Sequence, residues 1–167
     1  MHKHADAIKE YQKAISKVDD VLDEIHTSIA FEYQNQGEYN KAAEHLKKAI
    51  RLNKENESLL YEIGYCFEMG QLSDEAVEFF TREINNRPYS YVAWYNLGMA
   101  YNALELYEKA IDAFDYAIAI DPAFTPAYFS KAQCYEQMEM YQEAINIYKH
   151  TFELEKPDAM TYYYIGD

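Results

Sequence analysis

The residues that could do chemistry are few and scattered. Five histidines (His2, His4, His26, His45 and His150) and two cysteines (Cys66 and Cys134) are spread over 167 residues. No HExxH pair, no other metal-ligand spacing within a helix and no glycine-rich phosphate loop is present. His2 and His4 offer adventitious chelation only, so no metal site and no cofactor is expected. Acidic pairs such as Asp19 with Asp20, or Asp112 with Asp115, fall on predicted outer faces and read as solvated charge. Nothing here converges into a pocket of titratable groups, so no catalytic residue is assigned and no enzyme is expected.

The charge balance narrows the partners. Lys and Arg number 15 against 29 Asp and Glu, a formal charge of −14. Phosphate backbones are repelled by such a surface, so nucleic acid is not an expected partner. Uninterrupted apolar runs are a few residues long, far below the ~20 that span a bilayer, and no basic stretch precedes an apolar one at the start of the chain. A cytoplasmic location without membrane partners is the expectation. Hydrophobic residues make up 49%, which argues against disorder, and only 5 Gly and 4 Pro accompany many Ala, Glu, Lys, Tyr and Leu. That composition favours helices joined by short turns.

One stretch supplies the elements. In Tyr91 to Pro122, the residues Trp94, Leu97, Gly98 and Tyr101 share one helical face, and Ala110, Phe114 and Ala117 share a second. Two helices approach closely only where a side chain is short, and Gly98, Ala110 and Ala117 are the notches. The same pattern recurs at a constant step in both directions. Backwards it places Leu60, Ile63, Gly64, Phe67, Ala76, Phe80 and Pro88, then His26, Ile29, Ala30, Tyr33, Ala42, Leu46 and Ala49. Forwards it places Tyr128, Lys131, Ala132, Tyr135, Ala144, Tyr148 and Thr151.

The step, about 34 residues, and the residue types kept at it resemble the tetratricopeptide repeat (TPR). The resemblance implies an all-α fold, an α/α superhelix in which antiparallel helix pairs build a right-handed solenoid. The expected organisation is a half repeat and connector over 1–22, repeats over 23–56, 57–90, 91–124 and 125–158, and the start of a further half repeat over 159–167. First helices are predicted near 24–35, 57–69, 91–104 and 125–138, and second helices near 39–52, 73–86, 107–120 and 141–154. Gly37 and Gly70 are expected to turn the chain inside repeats, and Pro88 and Pro122 to separate repeats. The third repeat has Leu104-Glu105 in place of a glycine, so its inner turn is expected to be looser, or to form without left-handed geometry. Cys66 and Cys134 occupy the same position of two non-adjacent repeats. Helices packed about 8 to 10 Å apart keep them beyond the ~7 Å that a disulfide tolerates, so both are expected to be free.

The ends read as half repeats, from a longer array or from copies that stack end to end. Ile8, Tyr11 and Ile15 at one end, with Tyr162, Tyr163 and Ile165 at the other, are the candidate surfaces for a homo-oligomer.

The resemblance also locates a groove, because in this family ligands lie against the first helices at the second, fifth, sixth, ninth and twelfth positions. Those positions single out Phe31, Tyr61, Tyr65, Tyr95, Asn96, Met99, Asn102, Phe129 and Gln133. Tyrosine at the fifth position is open to two readings, as framework packed against the neighbouring hairpin or as a ring offered to an extended peptide or amphipathic helix. The lysines and arginines with which some TPR domains grip a terminal carboxylate are absent; Tyr61, Tyr65, Phe129 and Gln133 stand there instead, so no such clamp is expected. The expected function is a non-enzymatic scaffold that holds a peptide segment of a partner protein. Structural self-association is the alternative, and stacking of sugars on the tyrosines a weaker third.

Overall fold

A computed structural model describes residues 2–15, 22–54 and 56–154. Every regular element among them is a helix: α1 (His2–Ile15), α2 (Leu22–Asn35), α3 (Tyr39–Leu52), α4 (Ser58–Met69), α5 (Ser73–Asn86), α6 (Tyr91–Ala103), α7 (Tyr107–Ile120), α8 (Thr125–Gln137) and α9 (Tyr141–Leu154). The second helices of each pair begin and end where the sequence spacing places them, and the first helices differ by one or two residues. α5 ends two residues before Pro88 and α7 two before Pro122, as expected where the residue ahead of a proline is pushed out of the helical region. Ser90 caps α6, its Oγ accepting from the Ala93 amide at 3.3 Å.

The chain divides into two compact units, Met1–Phe79 and Phe80–Asp167, and each is built the same way internally. In the first, α1 packs on α2, α2 on α3 and α3 on α4. Ile29, Ala30, Ala42, Leu46, Leu60 and Ile63 are fully enclosed between them. In the second, α6 packs on α7, α7 on α8 and α8 on α9, around Ala110, Phe114, Ala117, Ala127 and Cys134. Small and large residues interlock here. A Cβ placed on Gly98 would lie 2.5 Å from the ring of Phe114, so the absence of a side chain is what lets α7 approach α6. Trp94 stacks on Tyr116, ring centroids 4.3 Å apart, and donates its indole N–H to the Pro88 carbonyl at 3.0 Å.

The turn inside each pair departs from expectation. Among the described residues, those with positive φ are Gly37 (76°), Gln71 (55°), Glu105 (59°) and Glu139 (60°), at the same place in all four helix pairs. Gly70 keeps a negative φ of −82°, so the left-handed residue is the one after it. Leu104-Glu105 is no looser than the rest and does use left-handed geometry. The Leu106 amide donates to the Tyr101 carbonyl at 2.9 Å and the Glu105 amide to the Asn102 carbonyl at 2.9 Å. The same two bonds recur at Glu38 and Gly37, at Leu72 and Gln71, and at Met140 and Glu139. Together they form the Schellman closure of a helix C-terminus, satisfying carbonyls the helix leaves open. Three of the four therefore hold a non-glycine residue where the backbone favours glycine.

Replacing Gln71, Glu105 or Glu139 by Gly is expected to stabilise the protein by about 0.5 to 1 kcal/mol each, through relief of left-handed strain. Gly37→Ala is expected to cost a comparable amount although no atom lies within 4 Å of its added Cβ. Gly98→Ala is expected to cost about 1 to 3 kcal/mol by overpacking. Thermal or urea unfolding measures all five, and a Glu105→Gly variant no more stable than the parent would contradict the strain assignment.

Candidate functional site

Which rings face outward follows from which residues each helix must bury. On α4, Leu60, Ile63 and Phe67 are inside, which leaves Tyr61 and Tyr65, four residues apart, outside the core and partly open to solvent. They are 37% and 46% exposed, and Phe31 on α2 is 42% exposed. The Gln34 side-chain amide donates to Glu62 Oε2 at 3.1 Å and contacts Cys66 Sγ at 3.2 Å. These two links, spanning 28 and 32 residues, tie α2 to α4 so that Phe31 lies level with Tyr61. Three large rings thus share one side of the α2–α4 layer. Tyr65 stands edge-on to Tyr39 with centroids 5.9 Å apart. A hydrogen bond with the Tyr39 hydroxyl raises its pKa above the ordinary tyrosine value, so its hydroxyl stays protonated and is engaged with Tyr39.

The second unit repeats this alignment with different exposure. Ser130 Oγ reaches Met99 Sδ at 3.5 Å and the Cys134 thiol donates to Asn102 Oδ1 at 3.4 Å, which sets Met99 level with Phe129. Phe129 is 42% exposed and Gln133, one turn on, is also exposed. Tyr95 is half-buried, against Phe114 at 5.8 Å and edge-on to Phe124 at 5.1 Å. Met99 and Asn102 are half-buried as well. Asn96 is only 7% exposed and its Nδ2 donates to the Val92 carbonyl at 2.9 Å, so its carboxamide is engaged in the helix. Phe124 is the packing partner that sequence reasoning overlooked. It has no aromatic counterpart one repeat earlier (Ser90) or one repeat later (Asp158), and that irregularity was its signal.

Of the self-association residues, Ile8 is 7% exposed and belongs to the core. Tyr11 is half-buried. The side chain of Ile15, and Tyr162, Tyr163 and Ile165 altogether, lie outside the described residues.

The groups with potential chemistry sit elsewhere and are quiet. Cys66 and Cys134 are free and buried. Burial pushes each thiol pKa up to about 11, so both stay protonated and unreactive at neutral pH. Each meets a side-chain amide of the preceding first helix, Gln34 or Asn102, which is a packing role. Among the described residues no group of three or more His, Cys, Asp or Glu is placed to hold a metal ion. No described helix is long and apolar enough to cross a membrane. His26 on α2 and His45 on α3 meet with Nδ1 atoms 3.0 Å apart. One ring must be the donor and the other the acceptor, so at least the accepting ring is neutral in this contact. Burial, then the neighbouring imidazole and Lys48, lowers the His45 pKa to about 4, and burial with Lys48 lowers that of His26.

Comparison with known proteins agrees with this architecture. Family models described as tetratricopeptide repeat match residues 91–124 and 125–158, and one described as TPR repeat matches 32–71. No curated protein matches the chain. Among solved structures, the crystal structure of MamA is 29% identical with a TM-score of 0.71, over 89% of this chain and 86% of that one. MamA 41-end from Desulfovibrio magneticus RS-1 is 21% identical, TM-score 0.71, over 92% and 86%. YrrB, a TPR protein with an unusual peptide-binding site, is 20% identical, TM-score 0.67, over 95% and 81%. The last two likenesses speak to the fold alone.

The histidine pair sets a pH dependence. Both folded pKa values lie below the ordinary 6.5, so the unfolded chain binds more protons than the folded one beneath that pH. The contribution of the pair is fully present above pH 6.5 and is lost as pH falls toward 4. The thermal midpoint is expected to drop more steeply between about pH 7 and pH 4.5 in the parent than in His45→Gln. Equal slopes for the two proteins would sink this assignment.

Proposed function

The chain belongs to the tetratricopeptide repeat family, and from that premise we propose that it holds a peptide segment of a partner protein against the exposed rings of its first helices. TPR repeats and TPR structural neighbours support a protein–protein interaction scaffold, and no catalytic family is matched. The observation that carries the finer reading is the ring cluster of Phe31, Tyr61 and Tyr65 in the first unit. Large aromatic side chains left open to solvent on one side of a layer are costly to maintain and mark contact surfaces. Phe129, beside Met99, offers a similar apolar surface in the second unit. Ring faces suit the apolar side chains of a peptide, and the exposed Gln133 amide suits its backbone groups. Tyr95 is assigned mainly to the framework, since Phe114 and Phe124 already cover it.

Peptides selected from a displayed random library on this protein are expected to lose more than about tenfold in affinity for Tyr61→Ala with Tyr65→Ala. The thermal midpoint of that double variant is expected to stay close to the parent's, whereas Tyr95→Ala should lower it clearly by removing packed area. Selected peptides that bind the double variant as tightly as the parent would count against the proposal.

A further inference from the structure

The basic residues on the described helices are sorted by helix. Of the 15 Lys and Arg, none lies on α2, α4 or α6, and α8 carries Lys131 alone. Lys131 is already committed: its Nζ lies 2.6 Å from Asp115 Oδ1 and its side chain is 18% exposed. The one histidine on these four helices, His26, is engaged with His45. Carboxylates are present on the same helices. Glu24 and Glu68 on the first unit's α2 and α4 are exposed, as is Glu136 on α8 in the second. Glu62 sits between Phe31 and Tyr65 in the alignment above, accepting from Gln34. Among the described residues, the first helices that carry the exposed rings therefore offer negative charge and π-faces, with no uncommitted cation of their own.

Resting on the proposed groove, we infer that its occupant is cationic: a stretch of a partner protein with Lys or Arg set among apolar residues. Two attractions favour that chemistry over a neutral or acidic segment. A guanidinium or ammonium group is drawn to the face of a tyrosine or phenylalanine ring, and a guanidinium can at the same time donate hydrogen bonds to a carboxylate. An acidic segment meets the reverse on both counts, within a chain of formal charge −14 that slows its approach. The apolar residues of the occupant cover Phe31, Tyr61 and Tyr65, and its basic residues reach Glu24, Glu62 and Glu68 around them.

Three fluorescein-labelled peptides of about a dozen residues test this. They share the same Leu and Ser positions and differ in the remaining positions, which are all Arg, all Gln or all Glu. Fluorescence anisotropy is expected to show the Arg peptide binding about tenfold more tightly than the Gln peptide, and the Glu peptide not at all. Glu24→Gln with Glu68→Gln is expected to weaken the Arg peptide about fivefold and to leave the Gln peptide unchanged. Asp112→Asn with Glu143→Gln makes the same change in net charge on α7 and α9, and is expected to alter Arg-peptide binding less than about twofold. Equal binding of the Arg and Gln peptides overturns the charge inference while leaving the groove intact. Equal loss in the two carboxylate variants overturns it also, because attraction by net charge then suffices. Binding by none of the peptides, or binding unaffected by Tyr61→Ala with Tyr65→Ala, sinks the groove and the inference together.

Discussion

The closeness of the two helices in a pair is the constraint on which the other features rest. At α6 and α7 it comes down to one contact, the ring of Phe114 lying over Gly98 where a Cβ would sit 2.5 Å away. That approach encloses Phe114 completely, together with Ala110 and Ala117, and it brings Trp94 onto Tyr116 and Tyr95 onto Phe114. Burying a ring of this size contributes a few kcal/mol at most by area, roughly 1.5 to 3. The larger effect is geometric, since interhelix distance fixes which residues of the first helix remain outside.

A close pair must also reverse the chain within a few residues, and the turns show how this is done without relying on glycine. The left-handed residue recurs at 37, 71, 105 and 139, each time just before a residue whose amide reaches back across the helix end to the carbonyl five residues earlier. Leu72, Leu106 and Met140 follow Gln71, Glu105 and Glu139, giving those turns an apolar residue at the position that packs back on the helix in this closure. About 1 kcal/mol of backbone strain is small beside two backbone hydrogen bonds and that apolar contact. The exposed polar residues Gln71 and Glu105 stand in the strained position, where water solvates their side chains.

Much of this is legible in the sequence because a constant period repeats the same physical requirement. Trp94, Leu97, Gly98, Ala110 and Phe114 read as interlocking packing residues, and they are. The turn misleads for a specific reason. Gly37 and Gly70 are one residue short of a full period apart, so one glycine is in phase with the left-handed position and the other is one residue early. Glycine content is the weaker signal there and the period itself the better one. The ring ladder is legible only in part. Residue type and register place Tyr61, Tyr65, Tyr95 and Phe129 alike, yet exposure depends on neighbours outside the register. Phe124 covers Tyr95, and nothing in the repeating pattern announces Phe124. Asn96 likewise reads as a polar contact for a ligand, where the helix buries it to 7% exposure and bonds its amide to Val92.

The division of labour on a first helix explains how a face for a partner can vary while the fold stays constant. Each such helix has three duties set by angle around its axis. One side, carrying Trp94, Leu97 and Gly98 on α6, meets its own second helix. A second side meets the next first helix through small or amide-bearing residues, as Gln34 with Cys66 or Asn102 with Cys134. Only the remaining side, with residues such as Tyr61 and Tyr65 on α4, is left open to solvent. Among the described residues, α2, α4 and α6 carry no Lys or Arg and α8 only Lys131, while ten occupy α1, α3, α5, α7 and α9. Packing does not demand that separation, because an exposed lysine costs a helix almost nothing in propensity. That separation is what the proposed cationic occupant of the open side requires.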